Sequence, residues 1–477
     1  MVLGKVGSGL RGALQSSRDW LREHPKVAYW LKIIRLGLFQ FGMGLSLAPI
    51  TGTLNRVLID ELGIPAVAVG LLIAIHYFVS PTRALIGFRS DQERAKGNWR
   101  TPYLVLGAML TYGGLATAPF ALILLSGDGS LTFVPAMIMC SLIFLAYGLG
   151  VNIVETIYLA TVSDITPPRE RGRVLAVLWG MLVLGTVVGS LIIGQLLLEY
   201  SHYRLIQAMQ GTAAIFITLT FISMFRQERL KPNGQLVNHI EGTIAVRETL
   251  LGSLRLLVGQ RLLLGLFAVL FIATLGFSTH DVLLEPYGGQ VLGMSIAETT
   301  RLTAWWGGAM LIAIGLAAWL IWQRRSPVLL IMLGGALGAL GFVVVSLAGG
   351  AAQVGLFQSG VALIGLGRGL FIVGSLAVIM SLVDDGHAGL FLGLWGVMQA
   401  LAQGIGTIAG GLSRDIAQAL SGNVLIGYTV VYSASALLLS LAVLLVIISR
   451  LDRRMRSGGV RSPWSELGQV NADQIIF

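Results

Sequence analysis

An apolar run ends at Thr279-His280-Asp281-Val282-Leu283-Leu284-Glu285-Pro286-Tyr287-Gly288-Gly289-Gln290, where two carboxylates and a histidine stand beside a proline and two glycines. Ionisable groups are expensive in hydrocarbon, and where they occur they mark ion routes, ligand contacts or counter-ions. Asp281 and Glu285 can hold a proton or pair with a cation. A shorter version of the pattern occurs early in the chain, at Thr53-Leu54-Asn55-Arg56-Val57-Leu58-Ile59-Asp60. Aligning Val57-Leu58-Ile59-Asp60 with Val282-Leu283-Leu284-Glu285 predicts two related halves, each opening with the same kind of helix. Asn55 and Arg56 then fall near the outer end of the first span, and Asp281 and Glu285 near the outer end of the seventh. Arg56 facing Asp281 or Glu285 is one expectation. The alternative is a set of outer gating or interfacial charges with no part in ligand binding.

Further polar residues interrupt other apolar runs. Arg368, in Gly365-Leu366-Gly367-Arg368-Gly369, lies midway along its segment, too far from either end to snorkel, so an interior cavity or an acidic partner is predicted. Glu155, in Asn152-Ile153-Val154-Glu155-Thr156, lies toward the inner end of its segment, with Arg83 as candidate partner. His76 and His280 are each either a metal ligand or a hydrogen-bonded packing residue. These eight residues, Asn55, Arg56, His76, Glu155, His280, Asp281, Glu285 and Arg368, are the candidate ligand-binding set.

The elements that must position them follow from composition. The chain has 477 residues, of which 55% are hydrophobic and 12% charged, with a mean hydropathy of +0.80. Soluble domains carry about 25% charge. So few charges cannot cover a water-facing surface of this size, and an all-α polytopic membrane protein is predicted. Twelve segments reach bilayer-spanning length: 36–59, 65–87, 102–125, 133–160, 173–198, 205–225, 262–285, 298–322, 328–348, 354–382, 388–412 and 425–449. Gly334-Gly335, Gly338 and Gly341, and Gly185, Gly189 and Gly194, have spacings that suit close helix packing. The single cysteine, Cys140, precludes an intrachain disulfide and a cysteine-based metal site. The start of the chain lacks the short apolar core and small-residue cleavage site of a signal peptide.

The net charge of +10 is explained by topology, and nucleic-acid binding is not predicted. The cations cluster in the N-terminal tail, in alternate loops (Arg89, Arg94, Lys96, Arg100; Arg169, Arg171, Arg173; Arg324, Arg325), in the stretch 226–261 and in the C-terminal tail. This asymmetry places both termini on the cytoplasmic side. The expected organisation is a cytoplasmic segment 1–35 that is either amphipathic or loosely ordered, a six-helix bundle 36–225, a cytoplasmic connector 226–261, a second six-helix bundle 262–449 and a basic tail 450–477. Two pseudo-symmetric six-helix bundles joined by a cytoplasmic connector are the layout of the major facilitator superfamily. Gly87-Phe88-Arg89-Ser90-Asp91, before a basic loop ending in Trp99-Arg100, resembles that superfamily's signature between the second and third spans. Gly87, Asp91 and Arg100 would form its cytoplasmic latch, although Gln92 replaces the usual basic residue. An ordinary positive-inside loop is the other reading. No phosphate-cradling loop, His-Glu-x-x-His or nucleophile elbow is present, so no enzyme is predicted.

Several stretches are more particular than the superfamily signature. Gly52-Thr53-Leu54-Asn55-Arg56-Val57-Leu58-Ile59-Asp60-Glu61-Leu62, Arg83-Ala84-Leu85-Ile86-Gly87-Phe88-Arg89-Ser90-Asp91 and Asp281-Val282-Leu283-Leu284-Glu285-Pro286-Tyr287-Gly288-Gly289-Gln290 resemble the bacteriochlorophyll delivery family, the PucC/LhaA group of major facilitator relatives. The resemblance runs from about residue 30 to 450. It implies a membrane assembly factor of a phototroph that delivers or handles bacteriochlorophyll or chlorophyll for nascent light-harvesting or photosystem subunits. The membrane would be the cell inner membrane, an intracytoplasmic membrane or a thylakoid. Bound chlorophyll or bacteriochlorophyll is the one cofactor it suggests, and His76 or His280 could ligate its magnesium. The fold alone points elsewhere, to a proton-coupled secondary transporter of a small anionic or amphipathic solute. In that case Arg368 would bind the solute and Glu155 or Asp281 would carry the proton.

Overall fold

The computed structural model describes residues 23–83, 85–86, 100–126, 131–164, 166, 171–225, 227, 261–381 and 388–450. Every regular element among them is helical. The rods are α1 (Pro25–Ala48, continued to Glu61), α2 (Ala66–Phe78), α3 (Thr101–Thr117, continued to Leu125), α4 (Phe133–Asp164), α5 (Arg171–Leu196) and α6 (His202–Met224). Then follow α7 (Arg261–Ser278), a short helix Leu284–Gln290, α8 (Ile296–Trp322), α9 (Pro327–Ala351), α10 (Val354–Ser381), α11 (Ala388–Ser421) and α12 (Val424–Ile448). Among the described residues nine helices are long and apolar enough to cross a bilayer, and two shorter apolar ones, Ala66–Phe78 and Leu264–Ser278, stand where spans two and seven are expected. Helix α11 occupies the eleventh place. The chain is an integral membrane protein.

Helix starts are written locally. Ser201, Ser295, Ser326 and Asn423 cap α6, α8, α9 and α12 through their side-chain oxygens, each satisfying an N–H that the helix leaves free. At α8 the cap is reciprocal: Glu298 N–H donates to Ser295 Oγ and Ser295 N–H donates back to Glu298 Oε2 at 2.8 Å. Between α1 and α2 the chain turns at Gly63, whose φ of +64° favours a residue without Cβ.

Packing repeats between the halves. In the first, α1 lies against α5 and α6, α2 against α4, α3 against α4 and α6. In the second, α7 lies against α11 and α12, α8 against α10, α9 against α10 and α12. These are the same pairs six helices later, so among the described residues the helices fall into two groups that pack alike, in a pseudo-symmetric arrangement. The halves meet chiefly through α2 with α11 and α5 with α8, pairs that exchange under the same symmetry. In lipid, burial of apolar surface drives helix association weakly, so close backbone approach and dispersion must do it. Gly334 and Gly341 provide this between α9 and α10, where a Cβ would meet the backbones of Gly367 and Ile364.

Candidate functional site

The seventh span does not run to Glu285 as the apolar run suggests. Helix α7 stops at Ser278, turns through 279–283 and restarts as Leu284–Gln290. Pro286 explains the break: an uninterrupted helix would drive its ring into the carbonyl of Val282 and lose a backbone bond. At the third position of a new helix the missing N–H costs nothing. The corresponding helix α1 is also irregular, with π-helical turns at Pro49–Thr53 and Val57–Glu61. Interrupted helices at matching places in two repeats are where membrane carriers put ligand sites.

The break lets Asp281 reach α10. Arg368 Nη1 donates to Asp281 Oδ1 at 3.1 Å and to the Phe277 carbonyl at 3.2 Å. Because Arg368 is halfway along α10, the pair lies toward the middle of the bundle rather than at the outer end of the span, where Asp281 was expected. Both side chains are largely buried, at 12% and 19% exposure. The guanidinium carbon lies 5.8 Å from the centre of the Trp306 ring, within cation–π range. The pair is not saturated: Asp281 Oδ2 and Trp306 Nε1 are buried without hydrogen-bond partners among the described residues. One is an acceptor, the other a donor. Asp281 also acts electrostatically on Tyr77 and His76 of α2, so the pair faces the first half.

Arg56 does not pair with Asp281 or Glu285. It turns to Asp60, four residues on in its own rod, with Glu61 at 3.4 Å. The π-helical turn keeps that carboxylate within reach and leaves Arg56 only 5% exposed. Its guanidinium lies flat against Gly289, where any Cβ would collide with it. Gln290 continues this junction. It contacts the Ile59 carbonyl at 3.4 Å and accepts from Arg414 and from the Tyr428 hydroxyl at 2.7 Å each. Arg414 also meets Asp415 at 2.8 Å, and Asp415 accepts from the Val67 N–H at 2.8 Å. Five elements of both halves, α1, α2, the short helix, α11 and α12, are thus joined at the end away from the basic loops. Asn55 is fully buried, donating to the Thr51 carbonyl in its own helix.

Glu285 is 5% exposed and has no cation partner among the described residues. Its Oε1 accepts from Thr303 of α8 at 2.9 Å and lies against Gly52 of α1. Beside it Thr53 and Thr300 share a 2.9 Å bond across the halves.

Glu155 pairs with Arg83 at 2.6 Å, the partner expected from sequence. Asn152 completes the cluster. It accepts from Arg83 Nε at 2.5 Å and donates to the carbonyls of His76 and Gly148 at 2.9 and 2.7 Å. The two membrane histidines differ sharply. His280 is 3% exposed and packed edge-on against Phe342 at 5.1 Å. His76 is partly exposed, with Nδ1 2.6 Å from the Ile73 carbonyl. Of the latch residues, Gly87 and Asp91 lie outside the described residues, while Arg100 is buried at the N-terminus of α3. A groove of about 470 Å³ between α1, α5 and α6, lined by Leu45, Ile193, Arg204 and Thr212 among others, contains none of the candidate residues.

Sequence reading missed the roles of Gln290, Thr303 and Arg414–Asp415. The last pair had a signal, two opposite charges just beyond an apolar run; it lay past the predicted end of the span, whereas α11 continues to Ser421.

The model of the PUCC protein family matches residues 53–454. The chain belongs to that family. Protein PucC of Cereibacter sphaeroides is 36% identical over 401 residues, covering 82% of this chain and 84% of the relative. A Rhodobacter capsulatus protein named "Bacteriochlorophyll synthase 44.5 kDa chain" is 30% identical over 426 residues, covering 87% and 94%. In three dimensions the chain is similar to a bacterial homologue of the human lysosomal transporter Spinster in its inward-facing, occupied form, with a TM-score of 0.65 at 12% identity, covering 90% and 97% of the two chains. At that identity the likeness concerns the fold, which is that of the major facilitator transporters.

Proposed function

We propose that this protein is a membrane assembly factor of a phototroph, which takes hold of bacteriochlorophyll or chlorophyll and passes it to light-harvesting or photosystem subunits. Family membership, with a similar protein named for bacteriochlorophyll, carries the reading. The site suits such a cargo. A chlorin is flat, apolar and rimmed by carbonyl groups, around a magnesium that accepts one axial ligand. Trp306 Nε1 and the Arg368 guanidinium offer donors for the carbonyls, and Tyr77, Trp306 and His76 offer ring faces and a ligand nitrogen. Bound pigment would supply the absorbing macrocycle; the chain's own groups would orient it and keep water away. On this reading the protein is not an enzyme, its partners are antenna or photosystem subunits, and Asp91 and Arg100 form a latch on the cytoplasmic side. Both termini are cytoplasmic, and the membrane is the inner, intracytoplasmic or thylakoid membrane.

A second reading, proton-coupled transport of a small anionic or amphipathic solute, is favoured by the transporter fold and by Glu285, a buried carboxyl with a hydroxyl partner and, among the described residues, no cation. One purification separates the two. Gentle extraction from the native membrane yields chlorin absorption and co-purifying antenna subunits on the first reading. A colourless, partnerless protein that drives proton-coupled uptake in vesicles overturns it in favour of the second.

A further inference from the structure

The sequence places two histidines in the membrane and gives no means of choosing between them; the geometry does. His76 Nδ1 lies 2.6 Å from the Ile73 carbonyl oxygen. A carbonyl can only accept, so Nδ1 carries the hydrogen and, in the neutral imidazole, Nε2 carries the lone pair. Nε2 makes no hydrogen bond among the described residues. This is the arrangement of a metal-binding histidine, in which one ring nitrogen is held by a backbone carbonyl so that the other is aimed and basic.

The surroundings hold the ring in place. The His76 backbone packs against Gly148 of α4, where a Cβ would come within 2.7 Å of its Cα. Its carbonyl accepts from Asn152 at 2.9 Å. Tyr77 lies 3.7 Å away ring to ring, and Tyr147 stands edge-on at 6.3 Å. Arg83 and Asp281 are the charges that reach it. Arg83 is already engaged by Glu155 and Asn152, and Asp281 by Arg368, so neither is drawn to the imidazole. His280 offers the contrast: it is buried under Phe342, where a macrocycle has no access.

We propose that His76 Nε2 is the axial ligand for the magnesium of a chlorin pigment bound on the α2–α4 side of the central site. The proposal rests on the pigment-handling reading and adds the residue that reads the metal. The probes are bacteriochlorophyll and its magnesium-free counterpart, added to the full-length protein in lipid nanodiscs. Wild type should prefer the magnesium pigment by at least about tenfold, the loss that removing even a supporting bond of a metal site brings. His76→Gly should erase that preference, added imidazole should restore it, and His280→Gly should keep it. In wild type labelled with ¹⁵N-histidine, one Nε2 resonance should shift with the magnesium pigment and not with the magnesium-free one, a readout that needs no variant to fold. Equal binding of both pigments by wild type, or an undiminished preference in His76→Gly, overturns the ligand assignment while leaving pigment handling intact. Binding of neither pigment overturns both.

Discussion

Arg368, from the middle of α10, donates to Asp281 at the break in α7 across 3.1 Å, and that bond ties a cation halfway along one helix to a carboxylate that the broken helix presents. Coulomb attraction is strong where water is scarce, but so is the desolvation of each ion. The pair is therefore worth less than the damage done by removing one member.

Arg368→Ala leaves Asp281 buried and unpaired, and the expected outcome is loss of antenna or photosystem accumulation with membrane insertion intact. Breaking such a pair costs on the order of 3–5 kcal/mol. Immunoblots of membranes beside antenna absorption make the test, and wild-type antenna levels would remove Arg368 from the site. The double change Arg368→Leu with Asp281→Leu should recover thermal stability in detergent without recovering function.

Asp281→Asn keeps the shape of the side chain and deletes its charge. Function should fall in this variant, because Arg368 is then uncompensated and one acceptor becomes a donor. Normal pigment-complex assembly in Asp281→Asn would show that the carboxylate is dispensable.

At the junction away from the basic loops, Gly289 leaves room for the Arg56 guanidinium. Gly289→Leu should expel that side chain and loosen the closed end. The Val67 amide, which donates to Asp415 across the junction, should then exchange its hydrogen with solvent faster; unchanged exchange would free Gly289 from that role.

Glu285→Gln separates the two functional readings. Glutamine preserves an acceptor for the Thr303 hydroxyl, so assembly-factor activity should be close to normal. If the protein is a proton-coupled carrier, the same change abolishes uphill uptake in vesicles. Thr303→Val, which orphans the carboxyl, should lower stability by about 1–3 kcal/mol, read as a lower midpoint in thermal unfolding.

The cluster of Arg83, Asn152 and Glu155 braces α2 against α4. Arg83 is 38% exposed, so Arg83→Gln alone should cost no more than about 1 kcal/mol. Asn152→Leu removes an interior bridge to two backbone carbonyls and should be the more damaging change. Equal melting temperatures for the two variants would contradict that ranking.

Much of this was legible in the chain itself. A bilayer imposes a local rule, that about 20 apolar residues must follow one another and satisfy their own backbone, so hydropathy alone marks the rods and the repeat of α1 in α7. The same rule made Arg368, Asp281 and Glu285 conspicuous, because charge in an oily run stands out wherever it faces. The partner of Glu155 could also be read, since Arg83 lies at the same depth on a neighbouring span. Which acid Arg368 meets could not. That depended on α7 ending at Ser278, seven residues short of Glu285, which turns Asp281 inward and carries Glu285 to Thr303. Nor could the sequence show Arg56 folding back to Asp60 over Gly289, or a backbone carbonyl fixing the tautomer of His76 while Phe342 covers His280. Depth in the membrane is a property of position along one helix. Pairing is a property of how two helices bend toward each other, and only the folded bundle decides it.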